Sequence, residues 1–256
     1  MAQVGTAAPR RGLLTTLRTD AWWFEPALFG VGLTVFLGYL TVSMFLDGWA
    51  FEIGPYLSPV YEPKLHGPFR AWWFSPALLV LWGPIGFRAT CYYYRRAYYR
   101  SYFLSPPACA VADLGSKYQG ERRFPLILQN AHRFFMYVAL VFVVILWIGA
   151  IRGFHDPTGG WGIGLGSVFL SVNAFLLMMY TFGCHSLRHL VGGGLDCFTC
   201  SKWGRSRKRT WDFVTRLNEH HRFWAWTSLI WISATDVYIR LVANGVITDP
   251  NTWKSF

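Results

Sequence analysis

Charge is what this chain has least of. Asp, Glu, Lys and Arg make up 14% of its 256 residues, with 13 acidic residues against 24 basic ones. The remainder is 53% hydrophobic and 19% aromatic, and several uncharged runs approach the ~20 residues that cross a bilayer. That balance excludes an ordinary water-soluble domain and points to an all-α integral membrane protein. Further absences narrow the reading. The opening MAQVGTAAPRRGLLTTLR has no compact apolar core followed by a small-residue cleavage site, so no cleaved signal peptide is expected. No fixed-period repeat or low-complexity tract occurs, and the connections are too short for a second domain. The expected organisation is a cytoplasmic tail over residues 1–25, a membrane domain over 26–245 and a short outer tail over 246–256.

Five transmembrane helices are predicted. The first runs from Pro26 to Phe45 behind an aromatic belt of Trp22, Trp23 and Phe24. The second starts at Trp72 and Trp73 and reaches Tyr93, with a kink expected at Gly83–Pro84. The third covers His132 to Ile151, the fourth Ile163 to His185, and the fifth His221 to Val242. Nineteen of the 24 Lys and Arg then fall on one side: three in the tail, eight between the second and third spans, eight between the fourth and fifth. By the positive-inside rule the N-terminus is cytoplasmic and the C-terminus outside. The same asymmetry absorbs the net charge of +11, which faces lipid headgroups. The run Arg205–Arg209, beside a membrane span, is read the same way, and no nucleic-acid partner is expected.

With this topology the soft metal ligands gather. All five cysteines (Cys91, Cys109, Cys184, Cys197, Cys200) and five of the seven histidines (His132, His185, His189, His220, His221) lie at or beyond the inner ends of the spans. Counting 1.5 Å per residue inward from the outer boundaries sets Cys91, His132, Cys184, His185 and His221 near one depth. His185 and His189, four residues apart, share one helix face. Cysteines in a reducing compartment are seldom disulfides, so a metal or redox centre is favoured over simple packing. Thiolates with imidazoles suit zinc or an iron–sulfur cluster. Two cysteines on one iron and two histidines on the other define the Rieske type. Haem b is the competing cofactor; no span carries a mid-depth histidine, but His132 with His185 or His221 could hold a haem near the inner surface. The Cys197/Cys200 pair has zinc-like spacing without a second such pair.

Four blocks carry a family resemblance: TCYYYRRAYYRSYFLSPPACAV (Thr90–Val111), RFPLILQNAHRFF (Arg123–Phe135), GCHSLRHLVGG (Gly183–Gly193), and LNEHHRFWAWTSL with TDVYIRLV further on. Over about residues 70 to 245 the chain resembles the single-chain, five-helix membrane anchor of actinobacterial-type succinate dehydrogenases. The resemblance implies a multi-pass subunit of the bacterial cell membrane that docks a flavoprotein and an iron–sulfur subunit on the cytoplasmic side. It implies electron transfer from succinate to menaquinone through a Rieske-type [2Fe-2S] cluster, without haem. The positions it carries over are Cys91, Cys109, His132, Cys184, His185, His189 and His221; Cys197 and Cys200 fall outside its pattern. Arg188–His189–Leu190 also echoes the haem-bearing anchors, yet Phe182 stands where their haem histidine would be.

The work expected of this chain is therefore electron relay, with succinate chemistry on its partners; the alternatives are a haem b-bearing quinone-reactive anchor and a zinc-stabilised structural membrane protein without a redox role. A quinone needs an apolar slot with a few polar groups, for which Tyr92, Arg133, His221 and Trp224 are the candidates. Asp236 and Arg240, four apart in the outer half of the fifth span, can pair on one helix face; proton movement to or from quinone is one reading, and a mutually neutralising pair with Arg240 reaching outward is the favoured one.

Overall fold

The computed structural model describes residues 14–45, 50–65, 74–112, 122–124, 126–155, 160–194 and 196–253. Within them the regular structure is helical, apart from one two-stranded hairpin. Helix α1 (Phe24–Phe45) is followed by the hairpin β1 (Glu52–Ile53) and β2 (Tyr56–Leu57). Then come α2 (Ala77–Ala89) and α3 (Tyr92–Ser101), and a 3-10 turn, Leu126–Ala131, leads directly into α4 (His132–Arg152). The chain continues through α5 (Leu165–Phe182), α6 (His185–Gly192), α7 (Lys202–Glu219) and α8 (His221–Ala243).

Three segments are long and apolar enough to cross a membrane: Phe24–Phe45, Leu126–Arg152 and Leu165–Phe182. The other two predicted spans take different forms. The second is represented by α2, whose 13 residues cover about 20 Å at 1.5 Å per residue. Its predicted start at Trp72 and Trp73 lies outside the described residues, as do Arg10, Arg11, His66, Arg70, Lys117, Lys254 and Phe256. The fifth is α8, whose 23 residues reach about 34 Å but include Arg222, Asp236 and Arg240. Pro84 sits inside a helix that continues past it, and the chain breaks at Thr90–Cys91 instead.

The bundle is organised around α5, which packs against α4 on one side and α8 on the other; α2 leans on α4, and α1 on α3. Small residues permit the closest approach, as is usual where helices meet in lipid. A Cβ added at Gly83 would lie 2.6 Å from Val138, and one at Gly86 would lie 2.2 Å from the Phe135 ring. By contrast α1 leaves Leu28, Val31, Val35, Leu37 and Val42 more than half exposed, a lipid-facing surface.

Away from the cysteines, buried carboxylates hold the bundle end together. Asp236 accepts hydrogen bonds from Tyr39 of α1, from Ser58 after the hairpin, and from Arg240 Nε at 2.9 Å. Arg240 does not reach outward as expected: it is 6% exposed, with its guanidinium 5.8 Å from the Tyr61 ring centroid. Asp249 accepts from Tyr56 at 2.8 Å, from Tyr238, and from the Gly166 backbone N–H at 2.9 Å. Each carboxylate thus satisfies donors from separate elements that lipid could not solvate.

Glu62 is a third acid at this end, 4% exposed and packed on α4 where a Gly149 Cβ would fall 2.9 Å from its carboxyl. Burial raises its pKa to about 7, with the Arg152 charge opposing. The folded value lies above the ordinary carboxylate range, so the stabilisation is full below that range and is lost as pH rises through about 7. Glu62→Gln removes this titration. Its thermal midpoint relative to the wild type should rise from pH 5 to pH 8, measured in detergent by intrinsic fluorescence; a constant difference across that range would contradict the assignment.

Candidate functional site

Two helix breaks of the same construction build the site. After α2, Thr90 stays near-helical (φ −89°, ψ −5°) while Cys91 is extended (φ −69°, ψ 136°), and α3 departs. After α5, Gly183 (φ −74°, ψ 0°) and Cys184 (φ −65°, ψ 133°) repeat the turn before α6. Each cysteine is therefore the N-terminal cap of a new helix. Both are buried, at 2% and 0% exposure. The starts of α4 and α8 bring His132 and His221 to the same place.

The four side chains form two crossed pairs. His132 Nε2 lies 3.3 Å from Cys184 Sγ, and His221 Nε2 lies 3.8 Å from Cys91 Sγ. Thr90 fixes the tautomer of His132. Its hydroxyl donates to the Gly86 carbonyl at 2.7 Å, so its oxygen accepts from His132 Nδ1–H at 2.9 Å. Nε2 then carries the lone pair, the form in which a histidine ligates a metal with its other nitrogen held by a neighbour. Phe87 stacks on His132 at 4.8 Å and Tyr180 on His221 at 4.9 Å, which fixes both ring planes. His221 Nδ1 is buried without a hydrogen-bond partner, an unmet polar atom that calls for an explanation. Gly183 is needed beside it, since a Cβ there would sit 3.0 Å from that nitrogen and 3.0 Å from the Leu217 carbonyl.

A cleft of about 500 Å³ opens onto this layer, lined by Cys91, His132, His185 and His221, with Tyr92 and Arg95 on its wall. Among the described residues no three His, Cys, Asp or Glu side chains meet as a single-ion cage; the donors stand instead as two sulfur–nitrogen pairs.

The other predicted residues are placed differently. His185 reaches the rim of the cleft, and His189 lies behind it, their Nε2 atoms 3.0 Å apart on the exposed face of α6. Burial lowers the His185 pKa, helped by His189 and Arg188. Cys109 is exposed in a loop bound to the N-terminal segment: its carbonyl accepts from Arg18 at 2.9 Å, and the Ala110 carbonyl accepts from Thr16 at 2.8 Å. Of the four quinone candidates, Tyr92 and His221 line the cleft, whereas Arg133, on the exposed side of α4, and Trp224 do not. Cys197 and Cys200 are joined in a disulfide ahead of α7.

Sequence reasoning missed Thr90, Tyr180 and Arg88. Arg88 was counted with the basic residues that set orientation, although it ends the apolar run LLVLWGPIGF, a position unusual for a loop cation.

Comparison with known proteins bears on the whole chain. Residues 24–245 match the family described as actinobacterial succinate dehydrogenase subunit SdhC. A chain in the solved structure of the Mycobacterium smegmatis Sdh1 complex in the apo form superposes with a TM-score of 0.85 at 42% identity, covering 96% of this chain and 97% of that one. No curated protein sequence matches.

The Thr90–His132 bond can be tested alone. Thr90→Val leaves Nδ1–H buried without an acceptor and should cost about 1–3 kcal/mol, while Thr90→Ser should restore most of it; thermal unfolding of the purified protein reads both, and equal losses would mean the hydroxyl is not the acceptor.

Proposed function

The chain belongs to the family of actinobacterial succinate dehydrogenase SdhC subunits, and from that membership we propose that it relays electrons from the docked iron–sulfur subunit to menaquinone through a Rieske-type [2Fe-2S] centre. It is the membrane subunit of succinate dehydrogenase, working with flavoprotein and iron–sulfur partners in the bacterial membrane; succinate itself is oxidised on those partners.

The observation that carries the reading is the crossed pairing of Cys91 with His221 and Cys184 with His132. Two thiols and two imidazoles are the donor set of a Rieske centre, and the unpartnered Nδ1 of His221 fits a layer completed by a bound group. Cys91, Cys184, His132 and His221 would hold it, with Cys109, His185 and His189 outside that set. Such a centre supplies one-electron transfer at a higher potential than an all-thiolate cluster. Haem is less well supported, since each Nε2 already faces a sulfur.

The chain's own residues have defined tasks. Thr90 keeps His132 in the ligating tautomer. Phe87 and Tyr180 hold the imidazole planes from the bundle side. Arg95 and the other basic residues near the cleft suit an acidic docking surface. The reading also takes the cysteine end as cytoplasmic and the hairpin end as exterior, across five spans.

Two measurements test these statements. In the assembled complex, Ser at Cys91 or Cys184, or Ala at His132 or His221, should abolish a low-average-g paramagnetic signal, while Ser at both Cys197 and Cys200 and Ala at His189 should retain it. A Soret band tracking His132 and His221 would replace the cluster with haem. Independently, reporter fusions after Gly120 and Ser206 should be cytoplasmic and those after Trp161 exterior; the reverse pattern would put the ligand layer at the wrong surface.

A further inference from the structure

One pair of sulfurs has no part in the proposed relay. Cys197 and Cys200 are joined in a disulfide across a Cys-x-x-Cys spacing, whereas Cys91, Cys109 and Cys184 are free. The pair lies between α6 and α7, at the end of the bundle that the relay reading takes as cytoplasmic. Disulfides are rare in a reducing compartment, and those found there are usually transient, serving catalysis or sensing. A closed pair at this end is therefore a candidate for reversible exchange.

Its surroundings suit exchange. Cys200 is exposed and Cys197 half-buried, so an incoming thiolate can reach the Cys200 sulfur and displace that of Cys197. The displaced sulfur has support: the Thr199 hydroxyl lies 3.6 Å from Cys197 Sγ. A disulfide sulfur carries no hydrogen, so the hydroxyl is the donor, and it remains one toward a thiolate. Cys200 directly precedes Ser201, the residue whose side chain caps α7. The first turn of that helix holds Lys202 and Arg205 and no acid, and neighbouring cations favour the thiolate form. Asp196, on the far side of Cys197, is exposed to solvent.

The loop is also tied to what adjoins it. A Cβ at Gly204 would lie 3.0 Å from the Phe198 carbonyl oxygen and 3.2 Å from that of Cys197, so the disulfide loop rests directly on the start of α7. Phe198 stacks with Trp211 at 6.4 Å. The same indole covers the end of α6, where a Cβ at Gly192 would fall 2.3 Å from it. Arg207 donates to the Val191 carbonyl at 2.6 and 2.9 Å and to the Gly193 carbonyl at 2.9 Å. Arg188 donates to the Thr215 hydroxyl at 2.9 Å and lies over Trp211 at 4.7 Å. Loop, α7 and α6 therefore form one unit, and α6 starts from Cys184 with His185 at the rim of the cleft.

We propose that Cys197 and Cys200 are a reversible thiol–disulfide switch on the cytoplasmic face, which exchanges with dithiols and, when oxidised, holds α6 against α7 beside the cleft. The proposal rests on the reading that puts this end of the bundle in the cytoplasm. A thiolate of the dithiol attacks Cys200 Sγ, the Cys197–Cys200 bond breaks, and Cys197 leaves as a thiolate that takes up a proton. The second thiol of the dithiol loses its proton and attacks its own sulfur in the mixed disulfide, releasing Cys200, which is protonated in turn. Two electrons and two protons have then passed to the protein, and the dithiol has become a disulfide. Loss of the cross-link returns conformational freedom to the loop, and the hold of Phe198 on Trp211 loosens with it.

The test uses the purified, assembled complex equilibrated with mixtures of reduced and oxidised dithiothreitol and labelled, still folded, with a maleimide that adds mass. Cys197 and Cys200 should gain label together as the mixture becomes reducing and lose that reactivity on reoxidation, with Cys109 reactive throughout and the buried Cys91 and Cys184 silent. Hydrogen exchange of the α6 amides from Leu187 to Gly193 should be severalfold faster in the reduced complex. The double variant Cys197→Ser/Cys200→Ser should show the faster exchange in both mixtures. A pair that resists excess dithiothreitol, a pair that does not close again, or α6 exchange that is the same in both states would each overturn the switch. An impermeant maleimide added to intact cells after reduction should label neither cysteine; labelling of both there would overturn the cytoplasmic placement, and the topology of the relay with it, while leaving the exchange chemistry in place.

Discussion

A thiol and an imidazole from different helices, paired twice in one buried layer, set the terms for the rest of the structure. Polar atoms at that depth have no water to turn to, so each must find its partner inside the protein. The chain meets this demand by breaking two helices at the same kind of point. Thr90–Cys91 and Gly183–Cys184 each end one helix and begin another, and the next helices in the bundle start with the histidines. Sulfur comes from helix ends and nitrogen from helix starts, so antiparallel neighbours bring the two together without a loop entering the layer. Thr90, Phe87 and Tyr180 then fix the rings from the bundle side.

Much of this was legible from the residues. Counting inward from the outer boundaries set Cys91, His132, Cys184, His185 and His221 at one depth, because the rise of a helix is fixed; four of the five meet as two pairs. The four-residue spacing of His185 and His189 was legible as well, and the two rings do meet. What spacing could not reveal is that Gly183–Cys184 interrupts the helix. The break starts α6 as a separate helix, which leaves His185 at the rim of the cleft and His189 exposed behind it, while His221, counted at the same depth, faces Cys91. Arg88 was hidden for a related reason: a count of basic residues records which side a cation belongs to, not whether its side chain turns back among Tyr94, Tyr180 and Ser228. The break at Thr90 rather than Pro84 shows the same limit, since a proline within a helix can be absorbed by its neighbours.

The two openings of the molecule differ in what surrounds them. The cleft beside Tyr92 and Arg95 has Asn130, His132, His185 and Asn218 on its lining, whereas the crevice at Arg88 is lined almost wholly by apolar groups. Tyr180 and His221 stand between them.

The carboxylate ties at the opposite end carry an implication for how such a subunit is made. Asp236 and Asp249 draw their donors entirely from side chains and backbone of this chain, so the hairpin, α1, α5, α8 and the C-terminal segment can come into register during insertion. A newly inserted chain secured at one end leaves its thiols and imidazoles near their final positions at the other. Maturation can then follow in sequence, with the polypeptide packed in the membrane before its water-soluble flavoprotein and iron–sulfur partners are recruited.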